Sequence, residues 1–193
     1  MTDEQQIKFV ATGAPKRHRR WTAEGKLSGT CQYHAWYNTF TKVHALYGTG
    51  FLVALCGPRG TGKSQIGVEL IRHAIEQEDK ALYIRAMDLF IDLKSTYGSK
   101  DRAENERTVL DRLLKPNLLV IDELSEGSDS EFERRMLTYL IDVRYGEAKD
   151  TLLIANYTRQ TIGTFEQRVG DSCVSRLNET GGILWCDWAS FRE

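Results

Sequence analysis

Cysteine and proline are scarce in this chain of 193 residues, with four of the first and three of the second. Cys31, Cys56, Cys173 and Cys186 form no CxxC pair. Cys31 with His34 has a ligand-like spacing but no second pair to complete a zinc site, so buried, reduced thiols are expected. No repeat, low-complexity stretch or linker is visible, which leaves one domain over residues 1–193, with a lead-in at 1–50 and a core at 51–193. The net charge of −1 gives no global pull toward nucleic acid or an acidic membrane, so any such surface must be local. No apolar run approaches the roughly 20 residues that span a bilayer. The opening "MTDEQQIKFVATG" lacks the basic-then-apolar pattern of a secretory signal. A cytoplasmic protein without membrane contact is the expectation.

What is present is an alternation. Apolar strands read at 51–56, 81–85, 117–121, 151–155 and 183–186. Ile66, Leu70, Ile71, Ala74 and Ile75 share one helical face between the first two, and Phe132, Met136, Leu140 and Val143 share another further on. Strands alternating with helices predict an α/β fold with a parallel sheet covered on both sides. The stretch 86–115 is long for one crossover and reads as two helices breaking near "YGSKD". Before the first strand lie a basic knot, Lys16 to Arg20, and an aromatic stripe of Tyr33, Trp36, Tyr37 and Phe40, continued by Val43 and Tyr47. The stripe could stack bases, but core packing is the expected role.

The chemistry concentrates after the first strand. Gly57-Pro58-Arg59-Gly60-Thr61-Gly62-Lys63-Ser64 is the phosphate-loop pattern, and Gln65 follows it into a helix. Glycines let backbone N–H groups surround phosphate without a Cβ in the way, and the helix adds its positive end. Lys63 is expected to reach the β- and γ-phosphates of ATP and Ser64 to ligate Mg²⁺. "LLVIDE" delivers Asp122 to the end of a buried strand, where it can hold Mg²⁺ through water, with Glu123 beside it to deprotonate the attacking water. Asn156 ends the next strand and reads as a γ-phosphate sensor, the alternative being a turn residue.

Together these residues resemble the AAA+ ATPases of the DnaC/IstB group, which are helicase loaders and transposition helpers. "ATGAPKRHRRW" looks like that group's Gly-x-Pro-basic lead-in, and the series "DVRY…ANYT…SRL…DWASFR" is similar to its later motifs. The resemblance implies a P-loop NTPase of the AAA+ (ASCE) type, a three-layer sandwich with sheet order 5-1-4-3-2. It implies that the basic knot lies near the nucleotide and that 86–115 is an initiator-type insertion. It also implies head-to-tail homo-oligomers in which Arg176 of "SRL" reaches a neighbour's γ-phosphate, with Arg144 and Arg168 as runners-up. The acidic pair is Asp-Glu where many relatives have Asp-Asp. About fifty residues precede the first strand where family loaders carry a helicase-binding region, and no helical lid follows "DWASFRE".

The leading expectation is therefore an ATPase that assembles with ATP on or beside single-stranded DNA and remodels a replicative helicase or another replication or transposition protein. The alternatives are a transposition helper on duplex DNA, a small-molecule kinase such as a nucleoside kinase, and a nucleotide-gated binding module. Charge does not single out a DNA track: in 86–115 six basic residues face six acidic ones.

Overall fold

The computed structural model describes residues 1–95, 102–126 and 129–192, with 102–106 by backbone alone. Among these residues, β1 (Leu52–Cys56), β2 (Ala81–Arg85), β3 (Leu118–Asp122), β4 (Asp150–Ala155) and β5 (Gly182–Trp185) form a single parallel sheet. Its order is β2-β3-β4-β1-β5, the order implied by the resemblance. Each expected strand is found to within about a residue of its expected ends. Asn156 follows β4, which lies between β1 and β3, so the ends of the three motif-bearing strands are adjacent.

The sheet is covered on both faces because every central strand is apolar on both. Val53, Leu55, Val120, Leu152 and Ile154 pack under α1 (Asp3–Ala11), α3 (Ala23–Leu27), α4 (Tyr33–His44) and α5 (Lys63–Glu76). Leu52, Ala54, Ile121, Leu153 and Ala155 pack under α6 (Ala86–Ser95), α7 (Arg102–Leu114), α8 (Glu131–Gly146), α9 (Ile162–Val169) and α10 (Asp171–Thr180). The period-two alternation of a strand sends neighbouring residues to opposite layers. The two helices expected in 86–115 are α6 and α7; the break expected between them lies outside the described residues.

The lead-in is built into this frame. Thr12 O accepts the N–H of Tyr83 at 2.8 Å, so the chain runs along the edge of β2 before the short α2 (Lys16–Arg19). Gly13 makes this possible, because a Cβ there would lie 2.6 Å from Tyr83 O and its φ is +82°. The aromatic stripe is largely core: Trp36 and Val43 are buried and Phe40 half-buried, while Tyr37 is exposed.

Two expectations need correction. Cys56, Cys173 and Cys186 are buried and reduced, and burial pushes their thiols up to about 12, but Cys31 is exposed. Arg144 is not available to a neighbouring subunit. It is 0% exposed, and its guanidinium donates to Leu113 O at 3.0 Å, Pro116 O at 2.9 Å, Asp150 O at 2.6 Å and Thr151 Oγ1 at 2.9 Å. Burial lowers its pKa to about 10, so it stays charged at neutral pH and ties the end of α8 to the entries of β3 and β4.

Candidate active site

The loop Gly57–Ser64 turns from β1 into α5 under tight steric control. Gly57 has φ +153° and a Cβ there would sit 2.2 Å from Cys186 O, which explains why a glycine must end the strand. Gly62 has φ +81°, and its Cβ would sit 2.8 Å from Trp36 Nε1. The loop carbonyls are gripped from outside. Trp36 Nε1 donates to Gly62 O at 3.0 Å, Trp188 Nε1 to Thr61 O at 2.9 Å, and Phe191 N to Gly60 O at 2.9 Å. Among the described residues, nothing accepts the N–H groups from Gly60 to Ser64. A run of unpaired amides at the start of α5 is the cradle a polyphosphate requires.

Lys63 is 5% exposed, and its Nζ donates to Gly57 O at 2.7 Å and Pro58 O at 2.6 Å. Burial lowers its pKa, so an incoming anion is favoured as its counter-charge. Ser64 Oγ donates to Asp122 Oδ2 at 2.7 Å, which places two hard oxygens side by side. This pair fits Mg²⁺, which takes a few protein oxygens and completes its shell with water and phosphate. Among the described residues no group of three or more His, Cys, Asp or Glu could hold a metal by itself. Asp122 is further pinned: its Oδ1 accepts Glu123 N at 2.7 Å, and Tyr83 OH donates to Oδ2.

Glu123 leaves the strand with φ +58°, a left-handed conformation that is uncommon for glutamate. Its side chain is exposed while Asp122, one residue earlier, is buried. Asn156 N donates to Ser125 Oγ at 3.2 Å rather than to a neighbouring strand, which links the end of β4 to the segment after Glu123. Lys63, Ser64, Asp122, Glu123 and Asn156 all line one cavity of about 510 Å³. Arg17, Lys26, Arg59, Arg85 and Arg192 share its wall and give it a cationic excess suited to phosphates.

The expected residues divide in three ways. Arg59, Gly60, Gly62 and Gln65 line the cavity with the five above, whereas Gly57, Pro58 and Thr61 shape the loop from behind. Gln65 lines it with a side chain already committed to His18 and Glu69. Arg176 stands apart on α10, bonded to Ser172, 2.6 Å from Asp142 Oδ1, with its guanidinium 5.1 Å from the Tyr145 ring centre. Arg168 is buried and donates to Glu126 O at 3.1 Å, so it supports the segment after Glu123 and is withdrawn as a runner-up. Sequence reading missed the grip of Trp36 and Trp188, the contact of Tyr83 with Asp122, and Arg192. Trp36 and Tyr83 read as core and strand, and Trp188 and Arg192 as part of "DWASFR", but none of these patterns signals the contact made.

The family model described as IstB-like ATP binding protein matches residues 47–177. The replicative helicase loader DnaC of Buchnera aphidicola subsp. Baizongia pistaciae is 25% identical over 139 residues, 71% of this chain and 54% of that protein. The chain thus spans about half the length of the curated relatives it matches. A crystal structure of the DnaC helicase loader superposes with a TM-score of 0.68 at 22% identity, covering 89% of this chain and 99% of that one. A structure of the replication initiator DnaA bound to AMPPCP and single-stranded DNA superposes with a TM-score of 0.70 at 16% identity, covering 92% and 52%. These likenesses place the fold among AAA+ P-loop proteins.

Proposed function

The chain belongs to the family of IstB-like ATP binding proteins, and from that premise we propose that it is a Mg²⁺-dependent ATPase of DNA replication, acting as a helicase loader or a loader-like remodeller. The observation that carries this reading is the convergence of Lys63, Ser64, Asp122, Glu123 and Asn156 on one cavity behind an amide cradle. In this reading Lys63 exchanges its loop carbonyls for phosphate oxygens. Ser64 and Asp122 would hold Mg²⁺, which would supply charge neutralisation for the phosphates. Glu123, exposed beside the buried Asp122, takes the proton of the attacking water, and Asn156 orients that water. Arg176, held on α10 by Ser172 and Asp142 outside the cavity, completes a neighbouring copy's site in this reading.

The partner class follows from the relatives. The named DnaC proteins are replicative helicase loaders, and the DnaA neighbour was solved with single-stranded DNA. A replicative helicase and single-stranded DNA are therefore the proposed partners, in the cytoplasm, with assembly head to tail in ATP. A second reading, a transposition helper on duplex DNA, rests on the motif resemblance to the IstB side of the group. ATP hydrolysis measured alone, with single-stranded DNA and with duplex DNA separates the two. Glu123→Gln should keep Mg·ATP affinity within about threefold while turnover falls at least about a hundredfold. Parental turnover in that variant would remove Glu123 as the base.

A further inference from the structure

His18 sits in the cavity wall with its protonation pattern dictated by a chain of polar contacts. Glu69 is a carboxylate paired to Arg72 Nε at 3.1 Å, and its Oε1 accepts Ala23 N at 2.8 Å. The same Oε1 lies 2.8 Å from the amide nitrogen of Gln65. An ionised carboxylate only accepts, so the Gln65 NH₂ must face it and the Gln65 carbonyl oxygen must face the other way. That oxygen lies 2.8 Å from His18 Nδ1. It also only accepts, so Nδ1 carries the proton, and neutral His18 is left with a bare lone pair on Nε2. Gln65 is 1% exposed, so water does not compete for this orientation.

The ends of the cavity are distinguishable. Asp122, Glu123 and Asn156 mark the end where the terminal phosphate is attacked. The nucleoside is left with the wall made by the lead-in, where His18, Trp21 and Leu27 stand together. The His18 and Trp21 ring centres are 6.0 Å apart, and Leu27 is 6% exposed. Lys26 Nζ lies 4.5 Å from the Trp21 ring centre and Arg17 lines the same wall, so aromatic and apolar surface is flanked here by cations, a composition suited to the base of a nucleoside polyphosphate.

We infer that His18 is a base-specificity residue whose Nε2 accepts from the 6-amino group of adenine and rejects a 6-oxo purine. The inference rests on the nucleotide reading above and deepens it. A 6-oxo group would oppose its own lone pair to that of Nε2, leaving two acceptors unpaired. A purine with no 6-substituent would only lose the bond.

Equilibrium binding of ADP, inosine diphosphate and purine riboside diphosphate to the intact protein tests this without turnover. The wild type should bind ADP about 10–100-fold more tightly than inosine diphosphate and about 3–10-fold more tightly than the unsubstituted purine. In His18→Phe, which keeps a ring but no acceptor, the preference for ADP over inosine diphosphate should fall below about threefold. Gln65→Met, which frees the tautomer, should lower it by at least several-fold. Equal wild-type affinity for ADP and inosine diphosphate, or an undiminished preference in His18→Phe, overturns the inference. Loss of all three ligands alike in both variants also overturns it, since the pair would then merely support the cavity. Failure of the wild type to bind any of the three overturns the nucleotide reading itself.

Discussion

The indole N–H of Trp36 is bonded to the carbonyl of Gly62 at 3.0 Å, across 26 positions of sequence. It thereby couples α4 to the last glycine before Lys63. Trp188 does the same for Thr61 from the opposite end of the chain, at 2.9 Å. Two tryptophans from segments flanking the core therefore hold the carbonyls of a loop whose amides are its working surface.

Removing one indole donor while keeping an aromatic ring isolates that contribution. Trp36→Phe and Trp188→Phe should each weaken ADP binding about 3–10-fold, the worth of one hydrogen bond of about 0.5–1.5 kcal/mol. Calorimetric titration measures it. For Trp36, which is buried, the phenyl ring keeps the stacking on Phe40, with ring centres 5.5 Å apart, but leaves a cavity, so the melting temperature should also fall. Unchanged ADP affinity in both variants would show that the loop holds its shape without them.

Tyr83 offers a test of the metal site. Its hydroxyl donates to the same Asp122 oxygen that accepts Ser64, and burial pushes its pKa well up, so it remains a donor at any working pH. Tyr83→Phe keeps the ring and deletes the donor. The Mg²⁺ concentration needed for half-maximal ATP binding should rise about 3–10-fold, while binding in excess chelator should not change. A shift of equal size in chelator would mean that the hydroxyl supports the cavity rather than Asp122.

These contacts mark where sequence reading stops. Lys63, Ser64, Asp122 and Glu123 were legible because their chemistry requires a fixed spacing around a strand end, and strand ends follow from short apolar runs. The parallel, doubly covered sheet was legible for the same reason. The aromatic stripe reads as core because periodicity reports which face of α4 is buried, as Trp36 and Val43 are. It does not report that an indole N–H on that face will meet a carbonyl in a distant loop. Arg144 failed in the opposite direction. A basic residue near a helix end reads as surface, and only the meeting of α8 with two strand entries reveals five backbone carbonyls awaiting a donor.

Arg144 should consequently behave as a stability residue. Arg144→Leu removes the donors and takes a partner from each of these carbonyls, although Leu114 O still accepts from Lys149 Nζ at 2.7 Å, at a cost of about 3–5 kcal/mol. Urea unfolding should show a lower midpoint with a similar slope. If the variant instead folds with parental stability but fails to assemble in ATP, Arg144 belongs to an interface after all.

Arg176 separates an assembling ATPase from a monomeric kinase. Its contacts with Asp142, Ser172 and Tyr145 lie on the α8–α10 surface, and its side chain is 24% exposed, so it can be presented to a neighbour. Lys63 lies in the cavity and Arg176 outside it, so in a head-to-tail assembly the two serve different copies' sites. Activity should then rise faster than linearly with protein concentration. Arg176→Ala should bind nucleotide within about twofold of wild type, since its own cavity is untouched, yet hydrolyse at least about a hundredfold more slowly. Lys63→Ala should lose nucleotide binding. Mixed together, one variant donates a sound arginine and the other a sound cavity, so a fraction of interfaces becomes whole and part of the activity returns. A kinase using both groups in one chain predicts no rescue at any ratio. No rescue in a mixture shown by light scattering to co-assemble would rule out Arg176 as the trans-acting residue, and strictly linear concentration dependence would count against assembly itself.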